Sequence, residues 1–319
     1  MIQQRPYVRR RSLDNSFQVL GHVFSFLADD QDSGGLFTLI EVTPFPGTEP
    51  PPHTRLKDDE GFYVLEGEME HQIDGETTLA RPGDFVLAPQ GSLRAFRFRT
   101  PSARLLLLLS PGGAEEGLRE IGRPAPSLVP ELPKEGMPSP QRMAEAFAAH
   151  GVIFAMPPVD GAAPPPLAPN PALARRAGVG GGRSFWSMGQ LVTFLATGDE
   201  TRGRFCLIES VVGRGRELPP HVHSREDAAY YLLEGEALFF AGDEVLPASP
   251  GNLVFIPRGT PHSMRLQTER ARLLTLASPA GVEGWYRSAA EPARELTLPP
   301  VAAVSTGAGG EFGIELLAH

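Results

Sequence analysis

The sequence predicts an all-β protein in which one barrel-forming unit occurs twice. Three observations lead there. The first is that the chain matches itself without a gap at an offset of 168 residues, the separation of His53 and His221. That shift pairs Gly21 with Gly189, Glu41 with Glu209, Gly47 with Gly215, Pro51 and Pro52 with Pro219 and Pro220, and Glu66 and Gly67 with Glu234 and Gly235. It also pairs Gly83 with Gly251, Pro89 with Pro257, Gly91 with Gly259, and Ser110 and Pro111 with Ser278 and Pro279. A long-period repeat decides the fold before any local reading does. The second is a run of short apolar segments cut by Gly and Pro, which argues for antiparallel strands in a sandwich or barrel. The third is a pair of histidines one residue apart, His221 and His223, just before a strand.

In chain order, residues 1–20 read as a polar arm, with Arg9-Arg10-Arg11 solvated, leading to a strand near Val23 to Leu27. The next strand, Leu36 to Thr43, is closed by the turn residues Pro44, Pro46 and Gly47. The His53 strand and Phe62 to Leu65 follow, then a hairpin at Asp74-Gly75. Further strands are expected at Phe85 to Ala88, Leu93 to Phe98 and Leu105 to Leu109. Beyond Pro111 the strand signal stops, and the Pro-rich residues 122–140 are expected to wrap the surface. Ser139 as N-cap and Pro140 at the first helical position start a helix with Met143, Ala146 and Phe147 on one face. Gly151 ends it, and a strand to Phe154 follows. Residues 157–182 have linker composition. The expected organisation is an N-terminal barrel over 1–156, the linker, and a C-terminal barrel over 183–319. The tail Gly313 to Leu316 mirrors Gly151 to Phe154 at an offset of 162, six residues fewer.

Composition narrows the function classes. A chain of 319 residues has room for two ordinary domains. Its net charge of −9 argues against nucleic acid and against anionic membranes. No apolar run approaches bilayer length, and the N-terminus lacks the apolar core of a signal peptide. The single cysteine, Cys206, excludes an internal disulfide. These features point to a cytoplasmic protein.

The chemistry gathers in the second unit. Residues two apart on a strand face the same way, so His221 and His223 aim at one point. His262 follows another strand and its turn. Three neutral imidazoles from two strands are the makings of a metal site. Gly215-x5-His221-x-His223, followed by Glu234-Gly235 and by Gly251-x5-Pro257-x-Gly259-x2-His262, resembles the two-part signature of the cupin superfamily. Two copies resemble a bicupin, and the wording VTFLATGDETRG and PPHVHSRED is similar to quercetin 2,3-dioxygenase-like (pirin/quercetinase-type) bicupins.

The resemblance implies two tandem double-stranded β-helix (jelly-roll) barrels with short helical segments. It implies that His221, His223 and His262 hold one divalent transition metal: Fe, Mn, Ni, Co, Cu or Zn. It further implies a mononuclear non-haem dioxygenase using O2 on a small organic, aromatic or diketone-like substrate, and by analogy a homodimer. Two alternatives stay open: a non-catalytic ligand-binding or sensing bicupin, and a non-redox isomerase or decarboxylase.

One family position departs from the pattern. The fourth ligand, a Glu seven residues before the Gly, is Glu60 in the first unit and Ala228 in the second. Candidates for the missing group are Glu209 if it faces inward, Tyr230 beside the metal, and Asp227 or Glu226 if the loop bends, although parity turns Asp227 away. In the first unit His53 and Glu60 are in register, but Arg55 and Arg94 replace the other histidines. A guanidinium cannot coordinate a cation. That site is expected to be metal-free, with Arg55 and Arg94 paired to Glu60 or forming a small anion pocket. Parity places Tyr230, Leu232, Met264 and Leu266 inside the second barrel. His22, His71, His150 and His319 belong to no constellation and are expected to be exposed.

Overall fold

A computed structural model of the chain describes residues 4–132, 138–155, 174–176, 182–300 and 309–317. Most of the expected linker, and His319, lie outside the described residues. The chain divides into two compact units, Arg11–Arg175 and Arg176–His319, the latter joined by the N-terminal stretch up to Arg10.

In the first unit an eight-stranded sheet runs in the order Arg123–Pro124, Ser16–Val19, His22–Ala28, Thr38–Thr43, Arg104–Ser110, Asp59–Glu66, Phe85–Ala88, Ala174–Arg175. A five-stranded sheet runs Val152–Phe154, His53–Arg55, Leu93–Phe98, Met69–Ile73, Glu76–Ala80. The pairings are antiparallel. Alternation sorts the side chains: Leu105, Leu107 and Leu109 enter the core with Phe26, Ile40 and Phe62 of the same sheet and Met69, Ile73 and Phe98 of the other. The Asp74-Gly75 hairpin forms between Ile73 and Glu76, with φ of +48° and +87° at its two central residues. Two positive φ values match the right-handed strand twist, and glycine accepts the second without steric cost.

The second unit repeats this plan. Its large sheet holds Leu253–Ile256, Asp227–Glu234, Arg270–Ser278, Cys206–Gly213, Gln190–Ala196, Ser184–Ser187 and Ala290–Pro292. Its smaller sheet holds Glu244–Ala248, Ala237–Ala241, His262–Leu266, His221–His223 and Ile314–Leu316. The repeat reaches down to the backbone. Gly67 and Gly235 both turn at positive φ, where an added Cβ would lie 2.4 Å from the Ser102 carbonyl oxygen and 2.5 Å from that of Arg270.

The helix Pro140–Ala149 begins as expected, with the Ser139 hydroxyl accepting from the Arg142 amide at 3.1 Å and Met143 and Ala146 buried. The strand after it, Val152–Phe154, lies against His53–Arg55, and the tail strand Ile314–Leu316 lies against His221–His223. Each motif strand is thus flanked by a segment from the end of its own repeat.

Two expectations are corrected. The N-terminal arm does not simply lead into the first barrel: Tyr7–Arg9 pairs with Leu253–Ile256 and closes an edge of the second unit. Likewise Ala174–Arg175 closes the equivalent edge of the first, against Phe85–Ala88. His22 and His71 are buried, not exposed. His71 shares the inward parity of Met69 and Ile73 on its strand. His22 sits within hydrogen-bonding distance of the Thr48 carbonyl at 2.9 Å and accepts the Phe45 amide at 3.1 Å. Among the described residues no helix is long and apolar enough to cross a membrane.

Candidate metal centre

Strand parity and pairing assemble the second-unit cluster. His221 and His223 face one way on their short strand, and His221 lies directly opposite His262 on the neighbouring one. The three ring pairs have centroids 4.3–5.1 Å apart. A ligand atom from each ring lies within 4.8 Å of the others, and all three side chains are buried.

Backbone carbonyls set the tautomers. His221 Nδ1 is 2.8 Å from the Pro219 oxygen and His262 Nδ1 is 3.0 Å from the Thr260 oxygen. A carbonyl can only accept, so both Nδ1 atoms carry the proton and both Nε2 atoms present bare lone pairs. His221 Nε2 is 3.2 Å from His223 Nε2, and the Tyr230 hydroxyl donates to His262 Nε2 at 3.0 Å. Burial drives all three imidazoles toward the neutral form. It pushes His262 down to about 3, with help from His221, and holds His223 well below the usual value, with help from His262 and His221. Neutral, buried, converging donors are what a divalent transition metal requires, so the residues present fit one.

Behind His223 stands Glu226. Its carboxylate is buried, 3.7 Å from His223 Nδ1, and neither carboxylate oxygen has a hydrogen-bond partner among the described residues. Burial raises its pKa. It faces the Nδ1 side of the ring, not the Nε2 cluster, so it stands behind His223 and outside the space where the three rings converge. The sequence reading missed this arrangement, although the repeat held a signal for it: Glu226 falls 168 positions after Asp58. Asp58 accepts a hydrogen bond from Arg55 Nε at 2.6 Å. In both units an acid stands three residues downstream of the second motif position, hydrogen-bonded to Arg55 in the first and 3.7 Å from His223 in the second.

The other candidates are placed as follows. Tyr230 lines the cavity beside the cluster, as do Met264 and the hydroxyls of Ser210 and Thr275. Leu232 and Leu266 pack in the same core. Burial pushes the Tyr230 phenol far up, so it acts as a proton holder. Asp227 is directed away from the cluster. It accepts from the Arg258 amide and Nε at 2.9 Å and from Nη2 at 3.1 Å. Glu209 pairs with Arg272 at 3.2 Å and does not line the cavity, because its neighbours of opposite parity, Ile208 and Ser210, point inward. Ala228 lies in the core on the same face as Tyr230, and among the described residues no carboxylate joins the three histidines. The cavity measures about 30 Å³, room for one or two waters.

The first unit gathers different chemistry at the same positions. Glu60 lies 3.5 Å from Arg55 Nη1, 3.5 Å from Arg94 Nη1 and 3.9 Å from His53 Nε2. Burial pushes the Glu60 carboxyl up, but Arg55 and Arg94 outweigh it and bring its pKa to about 2. Arg94 is wholly buried and also donates to the carbonyls of Ala88, Pro89 and Ser92. Above this floor lies an apolar cavity of about 100 Å³.

With fold and site in view, the class is plain. A cupin domain model matches residues 41–110 and again 208–277. The chain carries two tandem cupin domains and is a bicupin. It is 25% identical to quercetin 2,3-dioxygenase of Bacillus subtilis (strain 168) over 299 residues, covering 91% of this chain and 87% of that one. Among solved structures it resembles oxalate decarboxylase of Bacillus subtilis, with a TM-score of 0.55 at 14% identity over 86% of this chain and 76% of that one. It also resembles procruciferin, an 11S globulin of Brassica napus, with a TM-score of 0.57 at 13% identity over 88% and 85%. Such different neighbours share a fold, and a fold alone does not assign a reaction.

Proposed function

We propose that His221, His223 and His262 hold one divalent transition metal, and that the protein is a mononuclear metal-dependent dioxygenase of the quercetin 2,3-dioxygenase-like group acting on a small organic substrate. The observation that carries this reading is the convergence of three buried imidazoles, two with Nε2 left bare by carbonyl-bonded Nδ1. The similarity to quercetin 2,3-dioxygenase along most of the chain supports it. When bound, the metal supplies a Lewis-acid and electron-transfer centre for substrate and O2.

The chain's own residues do the rest. Glu226 fixes His223 from behind. Tyr230 stays protonated, and with His262 Nε2 engaged by a metal its hydroxyl is released to donate a hydrogen bond to a substrate oxygen. Ser210, whose buried hydroxyl has no partner among the described residues, orients a polar group of the substrate, with Thr275 beside it. Leu218, Met264 and Phe239 exclude water. With Ala228 where a carboxylate would act as base, the site suits substrates acidic enough to arrive deprotonated.

The cavity of about 30 Å³ favours a second reading, a non-redox metal-dependent isomerase or decarboxylase acting on a molecule of few atoms. Metal analysis and oxygen uptake separate the two. Purified protein should carry one metal per chain, and the combined change His221→Ala, His223→Ala, His262→Ala should abolish it. Metal content unaffected by that change refutes the site. Oxygen consumption by the Fe(II) or Mn(II) form supports the dioxygenase; turnover without oxygen consumption supports the second reading.

A further inference from the structure

We propose that the first barrel is a second binding site, independent of any metal, for a small neutral molecule with an apolar body of about one ring and a single hydroxyl group. The cavity there is about 100 Å³ and is walled by side chains such as Phe24, Phe62, Phe96, Leu107 and Phe147. For scale, a cavity of roughly 150 Å³ lined by Leu, Ile and Phe holds benzene. Phe24, Phe147 and Phe154 at its margin remain partly exposed, which leaves a way in.

Differences between the repeats built this space. Positions 168 apart replace the hydroxyl wall of the second barrel with hydrocarbon: Ser210 becomes Val42, Thr275 becomes Leu107 and Tyr230 becomes Phe62. Trp285, fully buried with its ring 5.6 Å from that of His221, corresponds to Gly117.

The floor is polar and incompletely satisfied. Arg55 lines the cavity and is only 6% exposed, yet its Nη2 has no hydrogen-bond partner among the described residues. Leaving a buried guanidinium nitrogen unpaired is costly unless something is there to accept from it. His53, also in the lining, has Nδ1 3.1 Å from the Pro51 oxygen, so its Nε2 is a free acceptor. Arg55, His53 and Glu60 all line the cavity and meet around the Glu60 carboxylate, so the floor sets a guanidinium donor near imidazole and carboxylate acceptors, a match for one hydroxyl that accepts from Arg55 and donates to His53 or Glu60. Charge decides against an anion. The guanidinium groups of Arg55 and Arg94 are balanced by the carboxylates of Asp58 and Glu60, so the floor has no net field to hold a carboxylate or phosphate. The same guanidinium groups bar a metal.

The test is isothermal titration calorimetry of the full chain with phenol, benzoate and toluene. Phenol should bind saturably at one site per chain, more tightly than either of the others. Binding should survive chelation and the triple His→Ala change, because neither touches this barrel. Arg55→Gln should weaken phenol binding about tenfold and leave toluene unaffected. Should that variant fold poorly, Ala114→Phe places a ring into the cavity lining and should abolish phenol binding while metal content is retained. Benzoate binding more tightly than phenol overturns the neutral class. Toluene binding as well as phenol overturns the role of the floor. No saturable phenol binding, or binding lost on chelation, overturns the site.

Discussion

The two barrels hold their central side chains on corresponding strands and solve opposite problems with them. In the second, burial drives three histidines toward the neutral form, and two of them turn unprotonated nitrogens inward. In the first, four charges are buried and kept because each has a counter-charge: Glu60 between Arg55 and Arg94, and Arg55 also against Asp58. Substituting two histidines by arginines turns a site that calls for a cation into one that has supplied its own. The walls follow, hydroxyl-bearing around the histidines and hydrocarbon above the ion pairs. A repeated backbone therefore constrains where side chains point and leaves open what they hold.

The strongest way to break the comparison is to unbalance the first floor. Arg94→Ala leaves Glu60 buried with one cation fewer and should destabilise the first unit by about 3–5 kcal/mol. Glu60→Gln should be clearly milder, because Arg55 keeps Asp58 and Arg94 keeps its carbonyl acceptors. Chemical denaturation of both variants checks this, and equal losses would mean that Glu60 does not depend on Arg94.

A smaller effect tests the second barrel from the opposite side. Ala228→Glu returns a carboxylate to the face it shares with Tyr230, at the position where Glu60 reaches to 3.9 Å from His53 in the first unit. A charged fourth ligand should tighten metal binding by at least about tenfold, measured by competition with a chelator. Oxygen uptake on a flavonol should rise, since a base is restored. Unchanged affinity would mean that position 228 does not face the metal.

The smallest expected change concerns His71, whose counterpart 168 positions on is Phe239. Its ring stacks on Phe96 and lies edge-on to Phe62, and neither ring nitrogen has a partner among the described residues. Burial lowers its pKa to about 4 from 6.5. The folded form therefore stays neutral while the unfolded chain takes up a proton, so stability is lost as pH falls from 6.5 toward 4. His71→Phe should raise stability by about 1 kcal/mol at pH 7, and by more toward pH 4. Melting curves across that range check it; a pH slope identical to wild type would show that His71 contributes nothing.

Much of this was legible in the sequence, for physical reasons. Turn glycines mark backbone positions that other residues avoid, so Gly67 with Gly235 and Gly91 with Gly259 announced the repeat, and all four adopt positive φ. Strand parity has a period of two, which brought His221 to His223 and set Tyr230 inward. Parity failed at Glu209, whose strand is apolar on both faces; the ion pair with Arg272 and the inward-facing neighbours Ile208 and Ser210 show its direction. Glu226 stood out in the sequence only as a candidate ligand, and its place beside His223 Nδ1 was not legible because it precedes its strand, where the alternation does not apply. The burial of His71 was missed because a polar residue at an inward position looks, in sequence, like a solvated one.

The pairing of Tyr7–Arg9 with Leu253–Ile256 has a consequence for biosynthesis. A ribosome delivers the arm long before its partner strand, which lies deep in the second repeat. Arg9 and Leu253 are 244 positions apart, so at about 5–20 residues per second the arm waits on the order of 12–50 s for its place. Throughout that interval it is an unpaired strand edge, the kind of surface that invites pairing with other chains. Arg9 on that edge, with Arg10 and Arg11 just beyond it, sets like charges against like if two such edges meet, which disfavours their pairing.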